Sequence, residues 1–557
     1  TRARAAGAAA ASDSAAPRWH WLEWAGIPLL LFVCFVRFDM ARNGFAPWAI
    51  LGEEGEMMAW VNTVLRGGVL SRDVYCLYGP LSIYPVALLF KLFHPSIWIW
   101  RVWIYSLNVP ALFAVYALLR GLTRRRLSAF LGMLAVGLLC TSQTPAMSWS
   151  VSRVALGLGA IAALRAFLRS GRARWLALSG LALGVALFYS QEVGVSAALG
   201  VVAALAVATW SARARDRLVA FGALVGGAAL VVIPLLALFA AQGALGETLD
   251  NLFVFPRVRM LGYAAYAFPS FDRGVALFLS GAPPEVARLT ALAYFGPVAL
   301  AVAAVVLALR ALRGPLAGRD IALGAVLIFG ALLFQSGLSR PDSPHLLFCL
   351  PPALVLLACF MEEAALALGA RGAHAAPRAA AGAFVAFWLL ALGTIGPIWT
   401  GSLGDCFHQA ALTLTGRFAV RDVPGFRAFE IPRARGTCAP EGWVADVESV
   451  VRDLDARTRR DQPVWVFPNE VMINFLADRP LANSFPLDIW AITTDQRRQL
   501  VAEVERSRPP FAVFYVDAFL VDEIPNRVAL PEPFAYLQER YVPDRTIGRW
   551  IVERRRE

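Results

Sequence analysis

Lysine is nearly missing from this 557-residue chain; Lys91 stands alone, and arginine carries almost all of the positive charge. Charge of either sign is scarce. Only 17% of the residues are charged and 58% are hydrophobic. Soluble domains run near 25% charged, so an ordinary soluble globular chain is excluded. The seven cysteines include no CxxC pair and no Cys/His spacing suited to zinc. There is no phosphate-binding glycine loop, no nucleophile elbow and no internal repeat. The net charge of +12 would suit a nucleic acid. The arginines, however, sit between apolar runs, which is the positive-inside pattern of a membrane protein. No nucleic-acid partner is expected.

Long apolar runs are abundant. A bilayer-spanning helix takes about 20 mostly apolar residues. The pattern predicts spans over 22–39, 98–119, 127–142, 150–168, 175–191, 194–210, 218–240, 290–309, 320–336, 346–362 and 380–400. The fold class expected is therefore a polytopic α-helical membrane protein. Arginine-rich turns recur between alternate pairs, beginning with Arg120, Arg124, Arg125 and Arg126 and ending with Arg371 and Arg378. The opposite turns, 141–149 and 191–193, hold almost no positive charge. This alternation places the arginine turns and the N-terminus in the cytoplasm of a bacterial inner membrane. With an odd number of spans, residues 401–557 fall outside, in the periplasm. Residues 1–20, rich in alanine with Arg2, Arg4 and Arg18, read as a disordered cytoplasmic segment. The stretch 21–38 has no clear cleavage site and is expected to stay as the first span. The membrane domain is then 21–400, with two long outer loops at 40–97 and 241–289.

The last 150 residues or so change character. Short β-like runs at 464–467, 511–516 and 550–552 alternate with helical patterns, which suggests a small α/β domain over 401–557. Thr493 and Gln496 form a capping-box pattern. Cys406 and Cys438 both lie here, and an oxidising compartment leaves a disulfide between them open. Trp465, Phe467, Asn469, Asn474 and Arg479 form a polar-aromatic stretch that would contact a glycan or, as the favoured reading, serve as core and turn residues.

The first outer loop is the most informative stretch. Residues 51–66 read LGEEGEMMAWVNTVLR, followed by Gly67 and Gly68. Met57, Trp60, Val61 and Val64 recur at helical spacing, and Gly67 fits the C-cap. Glu53, Glu54 and Glu56 fall at the helix start, where carboxylates gain about 0.3–1 kcal/mol each from the macrodipole. Glu53 and Glu56 share a face. Acids just outside a span, beside a helix facing lipid, also meet a lipid-borne substrate. Arg72-Asp73, Tyr75, Tyr78-Gly79-Pro80 and Arg101 follow.

The run EEGEMMAWVNTVLRGG…RDVYCLYGPLSIYPVALLFKLF…R resembles the first periplasmic loop of GT-C glycosyltransferases. More narrowly, it is similar to bacterial relatives of protein O-mannosyltransferases and lipid A aminoarabinose transferases. The chain departs from the family at one point: the acidic pair is usually Asp-Glu, and here it is Glu53-Glu54. The resemblance implies a GT-C-like bundle of about eleven spans and an inverting transfer. The donor is a sugar on a polyprenyl phosphate, and the acceptor is a cell-envelope glycan, lipid or protein. Glu53 is the first choice for the base that takes the acceptor proton. Glu54 takes that role if Glu53 does not, and Glu54 or Asp73 orients the acceptor or the base. The leaving lipid phosphate needs cationic partners; Arg72, Arg257, Arg259, Arg340 and His345 are the candidates. Tyr75, Tyr78, Glu192 and Asp342 are candidates for contact with acceptor or sugar. Aromatics beside Arg257 and Arg259 would line a groove for the prenyl chain, or those arginines are anchors in an interfacial aromatic belt among membrane lipids. No metal-ligand cluster is visible, and no cofactor is implied with certainty. Some members of the family use a divalent metal, so that requirement stays open.

Three further features bear on the site. Arg340, Asp342 and His345 share a short turn, 336–345, bounded by Pro341 and Pro344. Glu192 ends a span, where an acid is expensive unless solvated or paired. Arg37 and Asp39 are placed to pair. Two other function classes fit a polytopic chain: a transporter or flippase of lipid-linked glycans, and a non-catalytic envelope-assembly subunit. Transporters favour repeated halves and ionisable groups at mid-membrane. Here the polar clusters gather at one side.

Overall fold

The computed structural model describes residues 19–45, 49–141, 150–260, 265–280, 284–370, 375–417, 423–516 and 524–557. All but two residues of the expected disordered segment 1–20 lie outside them. Each expected span falls on a helix. In chain order these are α1 (Trp21–Asn43), α2 (Ile97–Leu122), α3 (Arg126–Cys140), α4 (Val151–Ser170), α5 (Arg174–Tyr189), α6 (Gln191–Thr209), α7 (Ala214–Ala241), α8 (Glu285–Arg313), α9 (Gly318–Ser339), α10 (Pro351–Gly369) and α11 (Ala375–Thr394). Among the described residues nine are long and apolar enough to cross a membrane; α3 and α5 are apolar but shorter. Their outward faces carry exposed aliphatic side chains, as on α7 with Leu218, Val225, Leu230 and Ile233. That is the surface expected of helices whose solvent is lipid.

The two ends of the bundle differ. At one end the arginine turns are neutralised between helices. Glu23 on α1 accepts from Arg120 at 2.7 Å and from the Tyr116 hydroxyl at 2.8 Å. Glu362 on α10 accepts from the Arg124 and Arg125 backbone amides at 2.8 and 2.7 Å. Arg310 and Arg319 both reach Glu363. Such pairs keep charges at the edge of an apolar bundle from standing uncompensated.

At the other end lies the C-terminal α/β part. Helix α12 (Gly396–Leu414) returns to α1, where Arg37 forks onto Asp39 at 3.0 and 3.1 Å and reaches Asp405 at 3.5 Å. The Arg37–Asp39 pair expected from sequence is therefore made. A two-stranded ribbon pairs β1 (Phe426–Ala428) with β2 (Cys438–Pro440). After α13 (Glu441–Arg457) comes a four-stranded sheet in the order β3 (Trp465–Phe467), β4 (Phe511–Tyr515), β6 (Trp550–Arg555), β5 (Tyr541–Ile547). β3 and β4 run parallel, joined across α14 (Thr494–Ser507), and the other pairs are antiparallel. The capping box of Thr493 and Gln496 is present.

Trp465, Phe467, Asn469, Asn474 and Arg479 are all buried, in keeping with core and turn roles. The Trp465 indole donates to Asp488 at 2.9 Å, and Asn483 donates to its other oxygen at 3.0 Å. Burial nevertheless pushes the Asp488 carboxyl up to about 8. Cys406 and Cys438 are buried free thiols, so the disulfide left open by sequence is absent. The reason is packing: Cys406 joins the core of the bundle, whereas Cys438 lies toward Arg101.

The first loop shares one hydrophobic core with the C-terminal part. Met57, Trp60, Val61, Phe90 and Trp100 pack with Val444, Trp465, Phe475 and Leu500 in a single buried cluster. Polar contacts reinforce it: Arg433 donates to Asn62 at 3.0 Å, Arg66 reaches Asp478 at 2.7 Å, and the Tyr75 amide donates to the Ser484 carbonyl at 2.7 Å. On the short helix Tyr84–Leu92, Leu88 and Leu92 point outward, as on a helix lying at a membrane surface. The second long loop is more regular than expected, holding helices Leu245–Met260 and Phe271–Leu279.

Candidate active site

The acidic stretch begins as a π-helical turn, Ala49–Glu54, and continues as the α-helix Gly55–Leu65, here the loop helix. Its start presses on the C-terminal part. A Cβ on Gly55 would lie 2.8 Å from the Met472 amide nitrogen, so no larger residue fits there. The helix ends at Arg66 and Gly67, the latter with φ +88°, as the C-cap pattern requires.

The three glutamates have separate environments. Glu54 is 1% exposed, and Arg101 on α2 grips both of its oxygens, at 2.7 and 2.8 Å. Glu56 is buried too. Burial, reinforced by the charge of Glu53, pushes its carboxyl well above the usual range, and contact with Trp490 offsets part of this. Glu53 itself is partly exposed.

The turn after the loop helix is built on Asp73. Its carboxylate accepts from the Val69 amide at 2.7 Å and from Arg72 at 2.9 and 2.8 Å. The Arg72 guanidinium holds the Asp73 carboxyl below the usual carboxylate range. Arg72 also donates to the Gln242 carbonyl at 2.8 Å, fastening the turn to the end of α7. Tyr75 is buried against Phe485. Next, Gly79 meets the end of α5: a Cβ there would sit 1.9 Å from the Phe188 carbonyl oxygen. Gln191 adds a hydrogen bond to the Leu77 carbonyl at 2.9 Å.

That docking brings Tyr78 to Arg153, the residue that sequence reasoning missed. Arg153 is buried near the start of α4, 5.1 Å from the Tyr78 ring centre and 4.5 Å from that of Phe348. It donates to Ser190 at 3.1 Å and pairs with Glu192. Glu192 also accepts from Ser336 at 3.1 Å. The signal was available: an arginine three residues inside an apolar span needs a partner or a ligand.

Ser336 opens the second predicted cluster. Arg340 donates to Asp342 at 2.9 Å and lies 4.7 Å from the Tyr266 ring centre. Asp342 caps the helix Ser343–Cys349, accepting from the His345 amide at 3.0 Å and meeting its Nδ1 at 2.6 Å. Burial pushes the Asp342 carboxyl up, but His345 and Arg340 more than reverse this and leave it below the usual range.

The geometry thus joins Tyr78, Glu192 and, through Ser336, the turn of Arg340, Asp342 and His345. Arg72 and Asp73 make their contacts elsewhere, with each other, with the Val69 amide and with the end of α7. The side chains of Arg257 and Arg259 lie outside the described residues. Among the described residues no three His, Cys, Asp or Glu side chains gather as a metal cradle.

The chain aligns with the crystal structure of ArnT from Cupriavidus metallidurans bound to undecaprenyl phosphate. The TM-score is 0.51 at 14% identity, over 96% of this chain and 98% of that one. The chain has the GT-C fold. Two structures of the Archaeoglobus fulgidus oligosaccharyltransferase align less well, each with a TM-score of 0.49. One is tethered with an acceptor peptide, at 13% identity over 94% of this chain and 73% of that one. The other, named AglB, is in complex with an inhibitory peptide and a dolichol-phosphate, at 12% identity over 95% and 74%. No family model and no curated protein matches the sequence. In GT-C terms, the acidic loop, Arg153 and the 336–345 turn all stand at the end of the bundle that carries the α/β part.

Proposed function

We propose that the chain is an inverting glycosyltransferase that moves a sugar from a polyprenyl-phosphate donor to a cell-envelope glycan, lipid or protein. In this reading the reaction takes place on the periplasmic side of a bacterial inner membrane. The observation that carries the reading is the division between two adjacent acids. Glu54 is spent on Arg101, while Glu53 is partly exposed beside the buried Glu56.

The acceptor hydroxyl oxygen attacks the anomeric carbon, and the bond from that carbon to the phosphate oxygen breaks. The hydroxyl proton passes to Glu53. The polyprenyl phosphate leaves with its electron pair, and its developing charge is met by Arg153, Arg340 and His345. Glu192 and Asp342 hold those side chains in place and offer acceptors to sugar hydroxyls; Tyr78 supplies an aromatic wall. Arg72 and Asp73 brace the turn, and Arg257 and Arg259 remain candidates for the lipid phosphate.

The test is donor consumption by purified protein in nanodiscs. It is offered labelled polyprenyl-phosphate sugars and membrane-extract acceptors, with the Glu53→Gln variant beside the wild type. Loss of a general base costs about 10²–10⁴ in rate. Equal behaviour of wild type and variant overturns the assignment.

A further inference from the structure

A cavity of about 490 Å³ lies between the loop helix and the C-terminal part, away from the Arg153 cluster. Asn62 and Arg66 enter it from one face of the loop helix. Asp73 comes from the turn, Asn474 from the helix Met472–Leu476, and Glu503 and Arg506 from α14. Asn62 accepts from Arg433 through its Oδ1. Asn474 is only 2% exposed; its Nδ2 donates to the Val464 and Pro480 carbonyls, and its Oδ1 is buried with no hydrogen-bond partner among the described residues. Arg506 is exposed and makes no ion pair with the described residues. A buried amide acceptor left unmade is costly unless a ligand or water completes it.

The lining balances two cations against two acids, so no net field selects an anion. Planar amide, carboxylate and guanidinium groups offer paired donors and acceptors at the spacing of neighbouring sugar hydroxyls. No strand residue lines the cavity, so there is no sheet edge to take a peptide by strand addition. At 1.5 Å per residue, Asn62 stands roughly 14 Å along the helix from Glu53, the reach of a few sugar units.

We infer that this cavity is a carbohydrate site that holds a distal part of the acceptor, so that the acceptor is an oligosaccharide. The inference rests on the transferase reading, but its test does not. Full-length protein in nanodiscs is bound to a printed array of bacterial cell-envelope oligosaccharides, and affinity for the best-bound glycan is then measured by calorimetry. The wild type is expected to bind at least one array glycan with no donor present, so the readout does not depend on transfer. Asn62→Leu and Arg506→Glu each weaken binding at least tenfold; Arg506 is exposed, so its variant keeps the fold. Binding to no array glycan, binding untouched by Arg506→Glu, or selective binding to a peptide array instead would each overturn the inference. Glycan binding without any transfer would spare the site and sink the enzyme reading alone.

Discussion

Arg101 holds Glu54 in a two-pronged ion pair with both side chains at most 2% exposed. The pair ties the second span to the start of the loop helix and fixes where the adjacent Glu53 sits. Breaking a buried pair leaves one charge uncompensated, at a cost of about 3–5 kcal/mol. Arg101→Met is therefore expected to lower the melting temperature of the purified protein sharply. Loss of transfer without any loss of stability would mean that Arg101 works in the chemistry itself.

Gly79 tests how the loop is docked. Backbone meets backbone at Phe188, with no side chain able to yield. Gly79→Ala is expected to cost about 1–3 kcal/mol, as overpacking does. Limited proteolysis should then cut the first loop faster than in the wild type, while an unchanged digestion pattern contradicts the docking.

Arg153 is expected to matter through its charge and its planar fork together. Arg153→Met should lower the transfer rate by about 10²–10³, the usual effect of losing a group that stabilises developing charge. Arg153→Lys keeps the charge and loses the fork to Ser190 and Glu192, so it should recover only part of the rate. Steady-state kinetics with a saturating acceptor separates these outcomes.

Asp488 makes a pH prediction. Its carboxyl titrates near 3.8 when unfolded and is pushed up to about 8 by burial. Below about 4 the group is protonated in both states and has no effect. As pH rises from there, the unfolded chain loses the proton first, so this residue's contribution to stability falls until about 8. Asp488→Asn should flatten the fall in melting temperature between pH 4 and 8. An unaltered slope would show that Asp488 ionises normally in the folded protein.

Much of the fold was legible because its causes are local. Apolar length marks the spans, arginine marks one set of turns, and the pattern from Met57 to Val64 marks the loop helix. Asp342 and His345 lie three residues apart, so their grouping was visible in the sequence. Glu54 gave no hint of its partner, since Arg101 lies 47 residues away and only folding brings them together. Arg153 carried a local signal that the surrounding apolar run obscured. The union of the first loop with the C-terminal part was not legible at all. It rests on contacts such as Arg433 to Asn62, for which no periodicity exists.

That last contact spans 371 residues of chain. A ribosome adding 5–20 residues each second needs roughly 20–75 s to cover that distance. Throughout that time the loop helix can pack Trp60, Val61 and Met57 against Phe90 and Trp100 of the same early segment, but not yet against Val444, Trp465 or Phe475. The newborn protein therefore passes through a waiting stage in which its acidic loop exists before its mould. Half of the core that the loop helix belongs to is therefore built long before the other half exists.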